Sequence, residues 1–191
     1  MIKELSGDVQ LKLAGATAFV AAGAGAQVAR DTIVSTGFRS TAIIAIGNSV
    51  ITVQPLTRLS LAEIQSSQES ETVNINLQSG KVRVEVNPPA GTRANFGVQT
   101  PSATASVRGT SFEVDADSIT VFEGTVTYSG TSGTAAMVNI GGTSFVQKDG
   151  RPADPVSIAA DTILPSAPVG SLGAPTGTDT KQRHSLTVDI E

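Results

Sequence analysis

The sequence of 191 residues lacks cysteine and tryptophan, and it holds one histidine and one tyrosine. The absence of cysteine excludes disulfides, thiolate chemistry and cysteine-ligated zinc. Aromatic residues make up only 4% of the chain, which leaves few side chains to stack on bases or sugars and argues against both ligand classes. Charged residues make up 16% and the net charge is −4, so the chain carries no basic footprint for nucleic acid.

Long apolar runs are also missing. The uncharged stretch over residues 13–29 is mostly alanine and glycine, so it is too short and too weakly apolar to span a bilayer. The first eight residues lack the apolar core of a signal peptide. Taken alone, these features describe a soluble cytoplasmic chain, and the competing interpretation is an excised domain whose natural leader lies upstream.

Motifs for catalysis and metal binding are not found. The single histidine, His184, lies in a segment rich in proline and glycine, where no packing would hold it in a catalytic geometry. Asp115, Asp117 and Glu123 lack the glycine and the third oxygen ligand of a calcium loop, so a solvated turn is favoured. We therefore expect no enzyme, no cofactor and no metal site.

The dominant pattern that is present is period-two alternation of apolar and polar residues, punctuated by glycine and proline and starting at residue 7. Ala42, Ile44 and Ile46 fall on one face of a strand. Gly47-Asn48 then predicts a tight turn of primed type. The pattern predicts an all-β fold, either a sandwich, a barrel or a solenoid, with almost no helix.

Three further segments give local predictions. Residues 73–77 and 82–86 both alternate and flank a turn, which predicts a hairpin with its apolar side inward. The polar run over residues 65–71 has no period and predicts a surface loop. In the alanine-rich region before residue 27, Phe19 and Val20 are the expected buried pair.

A break in register organises the region around residue 109. Thr100-Pro101 ends or bends a strand, because proline fixes φ and removes a backbone donor. Val107 and Phe112 are separated by an odd offset, so both cannot face one core from a single regular strand. Gly109 is therefore the expected site of a bulge or corner, because glycine adopts positive φ at little cost.

The same region resembles the end of a FecR domain, a family named after the ferric-citrate regulator of Gram-negative bacteria. The resemblance rests on Thr100-Pro101, on the run VRGTSFEV at residues 107–114 and on Glu123-Gly124-Thr125-Val126. Residues 7–9, 26–37, 42–59 and 77–82 resemble earlier parts of the family, so the resemblance covers about residues 7–148. The signature positions, which we expect to be structural, are Thr100, Pro101, Arg108, Gly109, Thr110, Phe112 and Gly124.

The resemblance implies an irregular, twisted β-solenoid-like or sandwich-like stack of short strands over residues 1–150. Residues 151–191 are rich in proline, glycine, serine and threonine, which predicts an extended tail with a candidate last strand at residues 185–191.

For function, the resemblance implies a non-enzymatic, extracytoplasmic module of a bacterial envelope protein, in the periplasm or at the cell surface. Its partner would be another envelope or receptor protein, in protein–protein interaction or signal sensing. The helical region and membrane helix of the family's sigma-factor regulators are not found in this sequence, so an anti-sigma role is not carried over. A structural or adhesive envelope protein and a carbohydrate-binding module are the alternatives.

Arg108 allows two interpretations. It could contact a partner, or its guanidinium could donate to carbonyl groups of the corner or pair with Glu113 or Asp115. The structural interpretation is favoured, because a glycine–threonine corner exposes carbonyl groups that need donors.

Overall fold

The computed structural model describes residues 1–66, 70–88 and 93–155, and sixteen β-strands make up the secondary structure there. The all-β prediction is confirmed. Within these residues, no helix has the length and apolar character needed to cross a membrane. The strands are β1 (Ile2–Ser6), β2 (Val9–Lys12), β3 (Val20–Ala21), β4 (Ile33–Thr36), β5 (Thr41–Ile46), β6 (Ser49–Val53), β7 (Arg58–Ser66), β8 (Ser70–Ser79), β9 (Val82–Val86), β10 (Arg93–Gln99), β11 (Ala103–Val107), β12 (Ser111–Val114), β13 (Ser118–Glu123), β14 (Thr125–Gly130), β15 (Ala135–Asn139) and β16 (Thr143–Phe145).

The strands form a seven-stranded sheet, β1-β5-β6-β9-β12-β13-β16, and a nine-stranded sheet, β3-β2-β4-β7-β8-β10-β11-β14-β15. Apart from the exchange of β2 and β3, the order of strands across each sheet follows the order along the chain. Neighbouring strands of the described part are antiparallel except for β8 and β10, which run parallel. That parallel pair arises because β9, which connects the two strands in sequence, lies in the other sheet.

The two sheets enclose one hydrophobic core, filled by alternate residues of the strands. Ala42, Ile44 and Ile46 are buried as predicted, and their strand turns at Gly47-Asn48 into β6. Phe96 of the nine-stranded sheet meets Phe112 of the seven-stranded sheet edge to face, with ring centroids 6.4 Å apart. Such a pair adds about 0.5–1.5 kcal/mol beyond its buried area.

The chain passes between the sheets at corners, and each corner in the described part contains one residue with positive φ. A left-handed residue costs an L-amino acid about 1–2 kcal/mol, which explains why five of the seven are glycine. Gly109 has a φ of 89° and joins β11 to β12, so the corner predicted there is confirmed. The seven residues, in chain order, are Gly7, Arg39, Leu56, Gly80, Gly109, Gly124 and Gly141.

The hairpin predicted over residues 73–86 is wrong. The two strands exist, but β8 pairs with β7 and β10, whereas β9 pairs with β6 and β12 in the opposite sheet. Gly80, with a φ of 84°, turns the chain from one sheet to the other, and a Cβ there would collide with Thr57. The alternation of apolar and polar residues shows which face of each strand is buried. The same alternation is found in two strands of a hairpin and in two strands that face each other from different sheets, so it could not tell the two arrangements apart.

Two other local predictions are also wrong. At both ends of the loop expected over residues 65–71 the chain is in strands, because β7 continues to Ser66 and β8 begins at Ser70, and Glu71 is only 5% exposed; residues 67–69 lie outside the described residues. Phe19 is half-buried and Val20 is 55% exposed, so they do not form a buried pair. The short strand β3 runs along the edge of its sheet and leaves Val20 at the surface.

The beginning of the predicted tail is attached to the domain. Pro152 forms a bridge with Val146, and the backbone N–H of Ala153 donates to the carbonyl of Phe145 over 2.8 Å. The rest of the tail from residue 156, including the strand predicted at residues 185–191, lies outside the described residues.

Candidate interaction surface

Thr100 fixes the turn between β10 and β11. It is 6% exposed, and its hydroxyl accepts a hydrogen bond from the backbone N–H of Ala103 over 3.0 Å. The same hydroxyl donates to the carbonyl of Ala116 over 2.8 Å, so it joins this turn to the one between β12 and β13. Pro101, beside it, is exposed.

Gly109, Thr110 and Gly124 form two crossing corners that pack against each other. A Cβ on Gly124 would lie 2.7 Å from the Thr110 methyl carbon and 3.2 Å from the Gly109 carbonyl oxygen. Thr110 is 5% exposed, and its carbonyl accepts a hydrogen bond from the Val86 N–H over 2.9 Å. Phe112, two residues further on, is fully buried in the core.

Arg108 stands apart from these residues because its side chain is exposed. The pairing predicted with Glu113 or Asp115 does not form. Those carboxylates face Lys81 instead, at 3.1 Å and 3.8 Å from its Nζ. Glu113 also accepts a hydrogen bond from Gln54 over 2.7 Å. Among the described residues, Arg108 has no hydrogen bond or ion pair, so its guanidinium faces solvent.

The outer side of the nine-stranded sheet carries a broad surface without charge, which we call the neutral face. It consists of two rows of residues, each crossing the five strands β8, β10, β11, β14 and β15 in register. Five strands spaced by about 4.8 Å make a surface about 19 Å wide. The first row is Asn74, Gly97, Ser106, Thr127 and Met137, and the second is Asn76, Gln99, Thr104, Ser129 and Ala135.

The neutral face is flat at Gly97, on β10. The side-chain oxygen of Asn74 occupies the space that a Cβ on Gly97 would need. Asn74 is held there by a hydrogen bond from its Nδ2 to Glu63 over 2.8 Å. The residues of β11 and β14 in the two rows are threonine and serine, so the surface offers hydroxyl and amide groups and few large side chains. Arg108 follows directly after β11 and so lies at the margin of this surface.

The exposed aromatic residues lie outside the two rows and bear on the alternative of a carbohydrate-binding module. Phe38, Phe122 and Phe145 are 71%, 42% and 44% exposed. Arg39 lies over the Phe38 ring at 5.3 Å and Arg83 over the Phe122 ring at 4.4 Å. A carbohydrate platform needs free aromatic faces, and two of these three rings are already covered by an arginine.

Two buried polar groups were not anticipated from the sequence. Glu71 accepts hydrogen bonds from the backbone N–H and the side-chain amide of Asn48, at 3.2 Å and 3.3 Å, and so ties the β5–β6 turn to β8. The hydroxyl of Tyr128 is buried without a hydrogen-bond partner in the described part. Burial raises the pKa of Tyr128, and the nearby charges of Asp115 and Asp117 raise it further.

The described residues contain no group of three histidine, cysteine or acidic side chains that could hold a metal ion. The neutral face was not predicted from the sequence, because its residues come from five strands and the sequence does not show which residues of neighbouring strands are paired. A usable signal existed, because the outward positions of β8, β11 and β14 hold asparagine, threonine and serine where charged residues are usual.

Comparison with known proteins supports the sequence resemblance. The FecR protein family model matches residues 31–127, a range that includes all seven signature positions. Two crystal structures of a candidate anti-sigma factor from Parabacteroides distasonis have similar folds, with TM-scores of 0.52 and 0.51 and 18% sequence identity. They cover 67% and 68% of this chain, which in turn spans only 62% and 64% of theirs. No curated protein matches the chain.

Proposed function

Because the chain belongs to the FecR protein family, we propose that it is a non-enzymatic, extracytoplasmic module that binds another envelope or receptor protein. This binding would serve signal sensing or assembly at the envelope. The fold shared with a candidate anti-sigma factor supports a role in regulation. The anti-sigma activity is not part of the proposal, because the chain spans about three fifths of that protein's length.

The observation that carries the proposal is the neutral face with Arg108 at its margin. A flat surface of hydroxyl and amide groups can hydrogen-bond to a protein partner, and its lack of charge makes it unsuited to nucleic acid. An exposed arginine is the residue type most often found at the energetic centre of protein interfaces, together with tryptophan and tyrosine. Because the side chain of Arg108 has no polar partner among the described residues, its replacement should leave the fold intact. If Arg108 contacts the partner protein, the same replacement should weaken binding.

Site-specific photocrosslinking in cells that express the natural gene product tests the binding surface. A photoreactive amino acid is placed at Ser106 or Thr127 on the neutral face, and at Lys3 on β1 of the other sheet as the matched control. We expect one discrete crosslinked protein from both positions on the neutral face and a much weaker product from Lys3. Arg108→Ala should reduce the yield while the melting temperature stays unchanged.

Equal crosslinking from Lys3 and Ser106, or no product from the neutral face, would contradict the assignment of this surface. The location is tested separately, by digesting intact spheroplasts with protease and probing for the natural gene product. We expect its β-domain epitope to become accessible while a cytoplasmic marker stays protected. Protection of the epitope together with that marker would refute the extracytoplasmic assignment.

A further inference from the structure

The two sheets end in four edge strands, and three of these are short or protected. In the described part, β3 has two residues and β16 has three. The β16 edge is also covered, because the Ser144 hydroxyl donates to the carbonyl of Ala153 over 2.7 Å. At the β1 edge, the N–H of Ile2 donates to the carbonyl of Ala26, and Lys3 and Glu4 add exposed charges. Short length, covering segments and charge all discourage the addition of another strand.

The fourth edge, β15, is the least protected of the four, although Asp154 and Pro155 lie beside its C-terminal end. It is five residues long, and residues 134–142 contain neither a charged residue nor a proline. Met137 is 68% exposed and Ile140 is 67% exposed, whereas Val138 between them is fully buried. A flat, uncharged edge of this kind is a template for one more strand.

Backbone groups on the free side of β15 can be identified from the hydrogen-bond pattern. The N–H of Gly130 donates to the carbonyl of Thr134, which places residue 134 in a hydrogen-bonded pair with β14. Hydrogen-bonded and non-hydrogen-bonded pairs alternate along an antiparallel ladder. The backbone groups of Ala136 and Val138 therefore face β14, and those of Ala135 and Met137 face outward. In the described residues no strand lies on that side.

The chain itself supplies a segment that fits this edge. An apolar cavity of about 310 Å³ lies beside β15, and Pro155, the last described residue, lines it together with Met137 and Ile140. The chain continues from there for residues 156–191. Its end, residues 186–190 with the sequence LTVDI, alternates apolar and polar side chains and equals β15 in length. A connection of thirty residues reaches about 30 Å on average, which exceeds the length of the strand.

We propose that residues 186–190 add to the free edge of β15 in the same molecule and complete the nine-stranded sheet with a tenth strand. Leu186, Val188 and Ile190 would continue the inner face beside Val138, and Thr187 and Asp189 would face solvent. The charge of Asp189 on the outer side would give the sheet the protected edge that β15 lacks. This inference does not rest on the proposed function. It concerns the backbone edge of β15, whose Ala135 and Met137 also end the two rows of the neutral face, and it invokes neither a partner protein nor Arg108.

Hydrogen exchange of the full chain, followed residue by residue, tests the proposal. In the parent protein the amides of Ala135 and Met137 should be protected, although β14 does not bond them. Val188→Asp places a charge on the inner side of the added strand, so these two amides should exchange at least about tenfold faster. The amide of Val138 should stay slow in the same variant, because it is bonded to β14.

Thr187→Asp is the matched control, since it introduces the same charge one residue away on the outer side. It should leave the exchange of Ala135 and Met137 unchanged. Light scattering should find the parent protein monomeric, with protection independent of concentration. The proposal is overturned if the two amides exchange freely in the parent, if Val188→Asp leaves them protected, or if protection appears only in a dimer, which would make a second copy the occupant.

Discussion

Gly124→Ala separates two physical reasons for the glycine at the packed corners. The first is backbone conformation, because Gly124 has a φ of 75° and alanine pays about 1–2 kcal/mol in that region. The second is space, because the new methyl group would lie 2.7 Å from the Thr110 methyl carbon and 3.2 Å from the Gly109 carbonyl oxygen. Overpacking of a tight contact costs about 1–3 kcal/mol, so we expect a total loss of about 2–5 kcal/mol.

Gly133→Ala provides the matched control for the backbone cost. Gly133 has a φ of 80° in the turn between β14 and β15, and no atom lies within 4 Å of the position of its missing Cβ. This variant should lose only about 1–2 kcal/mol. Thermal melting measures the difference, at about 2–4 °C per kcal/mol for a chain of this size.

Thr110→Ser tests the contact directly, because it removes the methyl group that the new Cβ would meet and keeps the hydroxyl. Alone it should cost about 0.8 kcal/mol for the lost methyl. Combined with Gly124→Ala, it should destabilise less than the sum of the two single variants, by about 1 kcal/mol or more. If Gly124→Ala melts like Gly133→Ala and the two single effects add, the packing of the two corners is not what requires glycine.

Three further outcomes are expected. Arg108→Lys should leave the melting temperature unchanged, since the exposed guanidinium has no polar partner in the described part; a clear loss of stability would restore the structural interpretation. Because folding raises the pKa of Tyr128, its protonated hydroxyl contributes to the free energy of unfolding. This contribution is fully present below pH 10 and is lost above it at about 1.4 kcal/mol per pH unit. Tyr128→Phe should therefore melt at least as high as the parent at pH 7 and show a shallower decline between pH 10 and 11, whereas parallel declines would refute the assignment. Glu71→Ala should lower the free energy of unfolding by about 1–3 kcal/mol, because it leaves the N–H of Asn48 without its acceptor, and chemical denaturation that shows no change would contradict this.

The sequence predicted the features that depend on one strand and its own turn. The odd spacing of Val107 and Phe112 required a corner, and Gly109 was the residue able to form it. Burial of Ala42, Ile44 and Ile46 followed from alternation alone. These predictions succeed because the direction of a side chain along a strand is fixed by local geometry.

Features that depend on which strands are neighbours could not be predicted. Residues 73–77 and 82–86 have the alternation of a hairpin, yet they lie in different sheets. The neutral face needs the register of five strands, and Glu71 becomes buried only because the β5–β6 turn packs over it. In each case the feature depends on a contact with residues that are distant in sequence, so it can be seen only once the pairing of the strands is known.

The order of strands in the two sheets has a consequence for how this domain assembles. Because the chain alternates between sheets while strand order follows chain order, each newly made strand meets an edge laid down shortly before it. Assembly of β1 to β16 can then proceed from one end in step with synthesis on the ribosome, and only the strand proposed at residues 186–190 would be added later. Each corner with a left-handed residue directs the next strand into the opposite sheet. A corner that could not adopt this conformation would therefore interrupt the growth of both sheets at the same position in the chain.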